Sequence, residues 1–274
     1  MMQADAYCRE LAMRHYENFS VASRLVPGPL RVDLMRFYAF CRTTDDFGDE
    51  SPSREAALEH LREWRLKTET LFSGGEPVHP VLIALRETIA KHALDAQPFL
   101  DLIAANVQDQ TVFSYSTWPE LQAYCMLSAA PVGRVVLKIF GIDGAAARKL
   151  SDDVCIGLQL ANHAQDVSRD AKIGRSYLLR EDIEERGTRG AVQALVERAR
   201  SELASGETLE QMTRGALRLQ LSLYRLGGLA ICDRIEQIGF CTDVRRPSVS
   251  KATKVALVVR AAFALAHRNG KKAC

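Results

Sequence analysis

Apolar residues recur every three to four positions along most of the chain, whereas the alternation typical of strands is weak throughout. This spacing places the apolar side chains on one face of an α-helix. Glycine and proline interrupt the pattern near residues 27–29, 73–75 and 141–144. The sequence therefore predicts an all-α protein, with helices at residues 3–17, 30–47, 53–72, 79–92, 96–110, 117–139, 144–170, 190–203, 207–239 and 247–268.

Negative charge is concentrated at the end of the second predicted helix, where Asp45, Asp46, Asp49 and Glu50 follow an aromatic run. Residues four apart share a helix face, so Asp45 and Asp49 lie together and Asp46 and Glu50 lie beside them. Like charges at this spacing destabilise an isolated helix by about 0.2–0.5 kcal/mol per pair. A bound cation would remove this repulsion. A solvated acidic helix end is the plainer interpretation.

A later predicted helix carries a ladder of oxygen-bearing side chains. Asn162, Asp166 and Asp170 are spaced by four residues, so they share one face over a rise of about 12 Å. Carboxylates bind Mg²⁺, and substrate phosphate often completes its coordination shell. The two ladders together predict a cage for several Mg²⁺ ions and a diphosphate.

The two ladders contain recognisable motifs, namely Tyr-x-x-x-Arg-x-x-Asp-Asp-x-x-Asp from Tyr38 to Asp49 and Asn-x-x-x-Asp-x-x-x-Asp from Asn162 to Asp170. These motifs resemble those of the squalene and phytoene synthase family of head-to-head prenyl transferases. The resemblance covers nearly the whole chain and is greatest to the bacterial hopanoid-pathway branch of hydroxysqualene synthases. It implies an isoprenoid-synthase-type helical bundle with a central apolar cavity. Further matching segments are His15–Arg24, Tyr124–Cys125 followed by Ser128–Arg134, and Gly174–Leu178.

The resemblance also implies roles for individual residues. The Mg²⁺ ligands would be Asp45, Asp46, Asp49, Asn162, Asp166 and Asp170. The catalytic residues would be Tyr38, Arg42, Asp45, Asp49, Asp166 and Asp170. Substrate contacts would come from His15, Phe19, Tyr38, Arg42, Tyr124, Gln159, Gln165, Arg175, Tyr177, Arg246 and Lys254. Arg42 has a second interpretation, an ion pair with Asp45 or Asp46 inside its own helix.

The activity implied by the resemblance is conversion of presqualene diphosphate and water to hydroxysqualene, with Mg²⁺ and without NADPH. Two alternatives stay open. The chain can be a presqualene diphosphate, squalene or phytoene synthase that condenses two prenyl diphosphates such as farnesyl diphosphate, or a non-catalytic assembly factor. Gln165 fits the hydroxysqualene branch, whereas His163 departs from the family pattern. Either residue could position the water that captures the carbocation, or face a neighbouring helix as a bystander.

Composition narrows the setting of the protein. The chain has 274 residues, 47% hydrophobic content and a net charge of +2, which is ordinary for a globular protein and gives no reason to expect a nucleic-acid partner. No linker, low-complexity tract or repeat divides it, and the two ladders need each other, so we predict a single domain over residues 1–274. Seven cysteines without a C-x-x-C pair, and no signal peptide pattern, predict a cytoplasmic location.

The C-terminal segment is strongly basic. Residues 245–274 contain eight Lys or Arg and no acid, interleaved with apolar residues. A basic amphipathic helix can lie on an anionic membrane, which would place the protein at the inner membrane surface. The favoured interpretation is a closing helix of the bundle, whose charges face water and diphosphate.

Overall fold

The structure, a computed structural model, describes residues 2–14 and 26–270. Helices dominate these ranges, which confirms the prediction of an all-α fold. The elements in chain order are α1 (Met2–Arg14), α2 (Gly28–Asp49), α3 (Arg54–Phe72), α4 (Pro80–His92), α5 (Gln97–Gln108), β1 (Ser114–Tyr115), α6 (Trp118–Ser128), α7 (Ala130–Ile139), α8 (Ala145–Lys172), β2 (Ser176–Leu179), α9 (Arg180–Met212), α10 (Gly215–Gln237) and α11 (Lys251–Gly270).

The chain forms two compact units. The first contains Met1–Val112 and Pro131–Asp143, and the second contains Phe113–Ala130 and Gly144–Cys274. The single domain over residues 1–274 stays a prediction. No helix of the described residues is long and apolar enough to cross a membrane.

The core of the first unit is built around aromatic side chains on α2, α3 and α5. Phe40 stacks on Trp64 with ring centroids 5.4 Å apart and meets Phe99 edge-on at 5.0 Å. The buried indole Nε1 of Trp64 donates a hydrogen bond of 2.9 Å to Thr44 Oγ1. These contacts bury one face of α2 and fix its rotation, so the acidic residues at its C-terminal end occupy defined positions.

A buried ionic network also holds the first unit together. Arg36 on α2 pairs with Asp5 on α1 at 2.7 Å and with Glu87 on α4 at 2.9 Å. Asp33, one turn earlier, accepts hydrogen bonds from Thr88 at 3.0 Å and Lys91 at 2.6 Å. The network therefore ties α1, α2 and α4 together through charge as well as apolar contact.

Close helix packing defines the second unit, in which α8, α9 and α10 meet. A Cβ atom at Gly157 would lie 2.9 Å from the backbone nitrogen of Leu203 and 3.0 Å from the carbonyl oxygen of Ala199. Glycine at this position lets the backbones of α8 and α9 approach closely. The second ladder follows on the same helix, and this packing fixes the axis along which its residues lie.

Three predicted helices have wrong boundaries, and one pair of strands was missed. The predicted helix 117–139 is two helices, because Pro131 cannot continue α6 and instead lies in the first turn of α7. The predicted helix 190–203 is part of α9, which runs from residue 180 to residue 212 with a kink at Gly187. The predicted helix 207–239 divides before Gly215, whose φ of 58° lies in the left-handed region. The sequence analysis also missed the parallel pair β1–β2, whose strands of two and four residues are too short for visible alternation.

Candidate metal and diphosphate site

The first ladder lies at the C-terminal end of α2, as predicted. Surrounding protein atoms desolvate the Asp45 carboxylate and, with the negative charges of Asp49 and Asp46, raise its pKa to about 7. A hydrogen bond from Asn106 and the charge of Arg42 act in the opposite direction but do not cancel the shift. Water still reaches the Asp45 side chain. The desolvation and the neighbouring carboxylates both disfavour the ionised form of Asp45, and a cation bound there would favour it.

Arg42 forms the intrahelical ion pair that was the alternative interpretation from sequence. Its guanidinium contacts the Asp46 carboxylate, and Nη2 lies 2.7 Å from Glu50 Oε1. Its Nε atom is buried and has no hydrogen-bond partner among the described residues. Tyr38, one turn earlier, is half-buried, and burial raises the pKa of its hydroxyl. The use of Arg42 to clamp a diphosphate stays a prediction.

Sequence reasoning missed the support that α5 gives to this end of α2. Asn106 Nδ2 donates to Asp45 Oδ1 at 3.3 Å, and Gln110 Nε2 donates to the carbonyl oxygen of Gly48 at 3.1 Å. Gly48 allows this close approach, since a Cβ atom there would lie 2.7 Å from Asn106 Oδ1. The available signal was two amide side chains four residues apart, Asn106 in the last turn of α5 and Gln110 just after it.

The second ladder lies along α8, with Asn162 exposed and Asp166 and Asp170 half-buried. Asp166 is paired with Arg246, whose Nε contacts Asp166 Oδ1 and whose Nη2 lies 3.5 Å from Oδ2. Arg246 comes from the segment between α10 and α11, 80 residues away in sequence. The structure thus brings together two of the predicted site residues, Asp166 and Arg246.

Gln165 holds the segment that carries Arg246. Its buried Nε2 donates a hydrogen bond of 2.7 Å to the carbonyl oxygen of Pro247, and its Oε1 accepts one of 3.3 Å from Arg246 Nη2. Both ends of the amide are therefore engaged within the protein. In this arrangement Gln165 positions Arg246, and its part in the reaction stays a prediction.

Four rings form a buried cluster around the second ladder. His163 stacks on Tyr177 with centroids 3.7 Å apart, and Tyr124 lies 5.6 Å from Tyr177. Tyr115, which the sequence analysis did not single out, lies 5.4 Å from Tyr124. Burial lowers the pKa of His163 to about 3, so its ring is neutral near pH 7. The buried His163 Nε2 has no hydrogen-bond partner among the described residues.

The remaining predicted site residues have more varied settings. The backbone nitrogen of Arg175 donates to the carbonyl oxygen of Asp170 at 2.9 Å, which places Arg175 directly after the ladder. Gln159 is half-buried and Lys254 is exposed on α11. His15 and Phe19 lie outside the described residues. Their substrate contacts, like those of Tyr124 and Tyr177, stay predictions.

The side-chain donors of each ladder decide whether the residues suit a metal ion. Within residues 2–14 and 26–270, no group of three or more His, Cys, Asp or Glu side chains is arranged to hold a metal ion. Each ladder nevertheless offers hard oxygen donors, which suit Mg²⁺. The Asp45 carboxylate is desolvated and lies near two further carboxylates, whereas the charge of Asp166 is met by Arg246, which a bound metal ion would have to displace. The residues therefore fit the implied metal, whose presence stays a prediction.

Comparison with known proteins gives the family. Residues 12–253 match the model of the squalene/phytoene synthase family. The chain belongs to this family. Its members are prenyltransferase-type enzymes that act on prenyl diphosphates. The recognition from the two ladder motifs is thereby confirmed.

Individual family members are similar to the chain at moderate identity. A phytoene synthase from Arthrospira platensis is 31% identical over 66% of this chain and 63% of its own length. A hydroxysqualene synthase from Sinorhizobium fredii is 34% identical over 80% of this chain and 76% of its own. The crystal structure of squalene synthase HpnC from Alicyclobacillus acidocaldarius is 42% identical, with a TM-score of 0.81, and covers 87% of this chain and 95% of its own. The chain thus spans about 63% of the length of the first curated relatives that it matches.

Proposed function

We propose that this protein is an Mg²⁺-dependent hydroxysqualene synthase of hopanoid biosynthesis. It would convert presqualene diphosphate and water to hydroxysqualene and diphosphate, the reaction of a carbon–oxygen lyase acting on a diphosphate. The observation that carries the proposal is the presence of both carboxylate ladders in a member of the squalene/phytoene synthase family. Identities of 34% to a hydroxysqualene synthase and 42% to squalene synthase HpnC support the choice of branch.

The ladders would hold the metal, with Asp45, Asp46 and Asp49 on α2 and Asn162, Asp166 and Asp170 on α8. Bound Mg²⁺ would supply charge to polarise and neutralise the departing diphosphate. Arg246 offers a planar guanidinium that can donate two parallel hydrogen bonds to phosphate oxygens. Arg42 offers the same group on α2, provided that it exchanges Asp46 or Glu50 for phosphate.

The buried rings suit a carbocation intermediate. A positive charge is stabilised by the face of an aromatic ring, which Tyr124 and Tyr177 can provide. Because burial keeps His163 neutral, its ring adds no positive charge that would oppose the cation. Burial of these rings also keeps water away from them, which limits premature capture.

Of these two residues, His163 rather than Gln165 would position the water that captures the carbocation. Both polar ends of Gln165 are engaged with Pro247 and Arg246, whereas His163 Nε2 can still accept or donate a hydrogen bond. In His163→Ala we expect less C30 alcohol and more of the other products. In Gln165→Arg we expect slower turnover with unchanged product ratios, because Arg246 is displaced. Unchanged ratios in His163→Ala would remove His163 from this role.

A condensing activity is the second candidate, because phytoene synthases are similar at nearly the same identity, 31%. Such an enzyme would join two prenyl diphosphates, such as farnesyl diphosphate, by using the same metal ladders. A non-catalytic assembly factor is the third candidate. Such a factor would not need the oxygen donors that both ladders keep.

Product analysis by mass spectrometry separates these candidates. Purified protein is incubated with Mg²⁺ and either presqualene diphosphate or farnesyl diphosphate, with and without NADPH. We expect presqualene diphosphate alone to give a C30 alcohol without NADPH. Consumption of farnesyl diphosphate would move the protein to the condensing branch. Turnover of neither would contradict the proposal, and absence of Mg²⁺-dependent diphosphate binding would then favour the assembly factor.

We propose a cytoplasmic location because of the cysteine composition of the chain. The odd number of cysteines and the lack of a C-x-x-C pair are typical of a reducing compartment. Fractionation of the native host, with detection of the full chain in the soluble and membrane fractions, would test this location.

A further inference from the structure

One face of α11 is apolar and exposed. Val255 and Val259 keep 63% and 47% of their surface open to solvent. Ala252 and Ala262 are exposed as well, and the spacings of three, four and three residues place all four side chains on one side of the helix. We call these four residues, Ala252, Val255, Val259 and Ala262, the outer face of α11.

The opposite side of α11 accounts for the packing of the helix. Ala261 is 2% exposed, and Leu257 and Val258 are half-buried. Leu257 and Ala261 lie on the side away from the outer face, Val258 lies at its edge beside Lys251, and α11 packs against α10. Burial of Leu257 and Ala261 therefore accounts for this packing. In the part of the chain that the structure describes, the exposed valines of the outer face have no packing role.

Positive charge surrounds the outer face. Lys251 and Arg260 lie at its two edges on the helical wheel and are exposed. Arg245 precedes the helix, and no acidic residue follows Asp243 in the chain. A cationic rim around an apolar strip is the pattern of helices that lie in a membrane interface, where Lys and Arg reach anionic headgroups.

The acidic residues of the neighbouring helix do not cancel this charge. Asp233 and Glu236, in the last turns of α10, pair with Arg200 of α9 at 2.7 and 2.9 Å. One guanidinium offsets one of these two negative charges, so a single net negative charge remains there, against the three positive charges of Lys251, Lys254 and Arg260 on α11. The positive field of α11 remains available to a partner of opposite charge.

The exposed valines and the basic residues around them distinguish between possible binding partners of the outer face. A second copy in a symmetric contact would bring the same basic residues against one another, which is unfavourable. A nucleic acid would use the basic residues and would leave the exposed valines in water. A lipid surface satisfies both, because acyl chains take up the valines while anionic headgroups meet the cations.

We propose that the outer face of α11 docks the protein on an anionic membrane surface, with the helix axis parallel to the bilayer plane. Val255 and Val259 enter the boundary between headgroups and acyl chains, while Lys251 and Arg260 contact anionic headgroups. The proposal goes beyond the proposed catalytic function, because docking requires neither a prenyl diphosphate nor turnover.

Sedimentation of the full-chain protein with lipid vesicles tests the proposal. The vesicles contain phosphatidylcholine alone or equal parts of phosphatidylcholine and phosphatidylglycerol, at low and at high sodium chloride. We expect binding to the anionic vesicles at low salt and clearly weaker binding at high salt, because salt screens the headgroup charge. Equal sedimentation with and without anionic vesicles would overturn the proposal.

Variants separate the apolar from the charged contribution. We expect Val255→Ser combined with Val259→Ser to lower the vesicle partition coefficient about tenfold, and Lys251→Gln combined with Arg260→Gln to lower it at least about tenfold at low salt. The matched control is Val78→Ser, which removes an apolar residue that is 81% exposed in the first unit and should change nothing. Circular dichroism and the thermal midpoint verify that each variant is folded.

Two outcomes contradict the proposal even if the wild-type protein sediments. Unchanged vesicle binding in the double valine variant would mean that another surface docks. If the double valine variant differs from the wild-type protein in elution volume in gel filtration but still binds vesicles, the face is assigned to contact with a second copy of the chain. Neither outcome depends on whether presqualene diphosphate is the substrate, so failure of docking and failure of the proposed function are told apart.

Discussion

The Asp33 carboxylate is the group whose neutralisation we expect to cost the first unit most stability. Its side chain is only 3% exposed, and His92 Nε2 and Lys91 Nζ lie 2.8 and 2.6 Å from Oδ2. Burial by itself would raise the pKa of Asp33, but hydrogen bonds from His92, Lys91 and Thr88 outweigh burial and lower it. The folded state therefore favours the ionised carboxylate.

The change Asp33→Asn keeps the shape of the side chain and removes its charge. The contact with His92, which is 10% exposed, should contribute about 1.5–3 kcal/mol as a hydrogen bond to a charged group. The Lys91 side chain is 49% exposed, so its pair with Asp33 is screened by water and contributes about 0.5–1 kcal/mol. The Thr88 hydroxyl keeps an acceptor in asparagine. The expected loss near pH 7 is therefore about 2–4 kcal/mol.

Trp64 offers a local reporter for this change. The chain contains two tryptophans, and Trp64 is buried in the core of the first unit while Trp118 belongs to the second. In a Trp118→Phe background, fluorescence during urea unfolding therefore follows the first unit alone. With a slope of about 2 kcal/mol per molar urea, we expect Asp33→Asn to lower the midpoint by about 1–2 M.

The pH dependence gives a second test of the same reasoning. A lowered pKa means that stability from Asp33 is present above the unfolded-state value of 3.8 and is lost as pH falls through the folded-state pKa. The wild-type and Asp33→Asn midpoints should therefore differ at neutral pH and converge in acid. The control is Asp95→Asn, whose side chain is 68% exposed and whose loss should cost little. A midpoint shift in Asp33→Asn no larger than in the control, or one that persists in acid, would refute the assignment.

Two further predictions concern the second unit. Gly157→Ala should destabilise the protein by about 1–3 kcal/mol in urea unfolding, because the added Cβ would lie 2.9 Å from the backbone of Leu203. The control is Gly227→Ala, which should be neutral or stabilising because nothing lies within 4 Å of the added Cβ. Arg246→Gln should tighten Mn²⁺ binding in calorimetry without substrate, because it frees the Asp166 carboxylate, and unchanged or weaker affinity would contradict this competition.

Local rules predicted much of the fold. The apolar spacing of α2, α3, α4 and α8 and the glycine and proline breaks placed most helix ends within a few residues. One failure has a local cause, because Pro131 was treated as an interior residue although proline stops a helix that approaches it. The other is not local, because the β1–β2 pair joins segments that three helices separate.

The sequence indicated which residues form the candidate site, but it did not indicate which of them contact one another. Spacing placed Asp166 on one face of α8 with Asn162 and Asp170, but no rule of spacing indicates that Arg246, 80 residues later, pairs with Asp166. The hydrogen bond from Gln165 to Pro247 spans 82 residues and was equally invisible. Asn106 was missed because its relation to Asp45 depends on how α5 packs against α2. Tertiary contacts of this kind follow from packing, which a single sequence does not display.

The two ladders look alike in sequence, yet the structure gives them different electrostatics. On α2, the nearest cation, Arg42, is engaged by Asp46 and Glu50, and the Asp45 carboxylate is left with a raised pKa. On α8, a cation from a distant segment, Arg246, already pairs with Asp166. Under the proposed function, a metal ion at Asp166 would first have to displace a guanidinium, whereas a metal ion at Asp45 would meet a desolvated carboxylate with no such partner to displace. We therefore expect the α2 ladder to bind metal more tightly than the α8 ladder, and Arg246→Gln to narrow that difference.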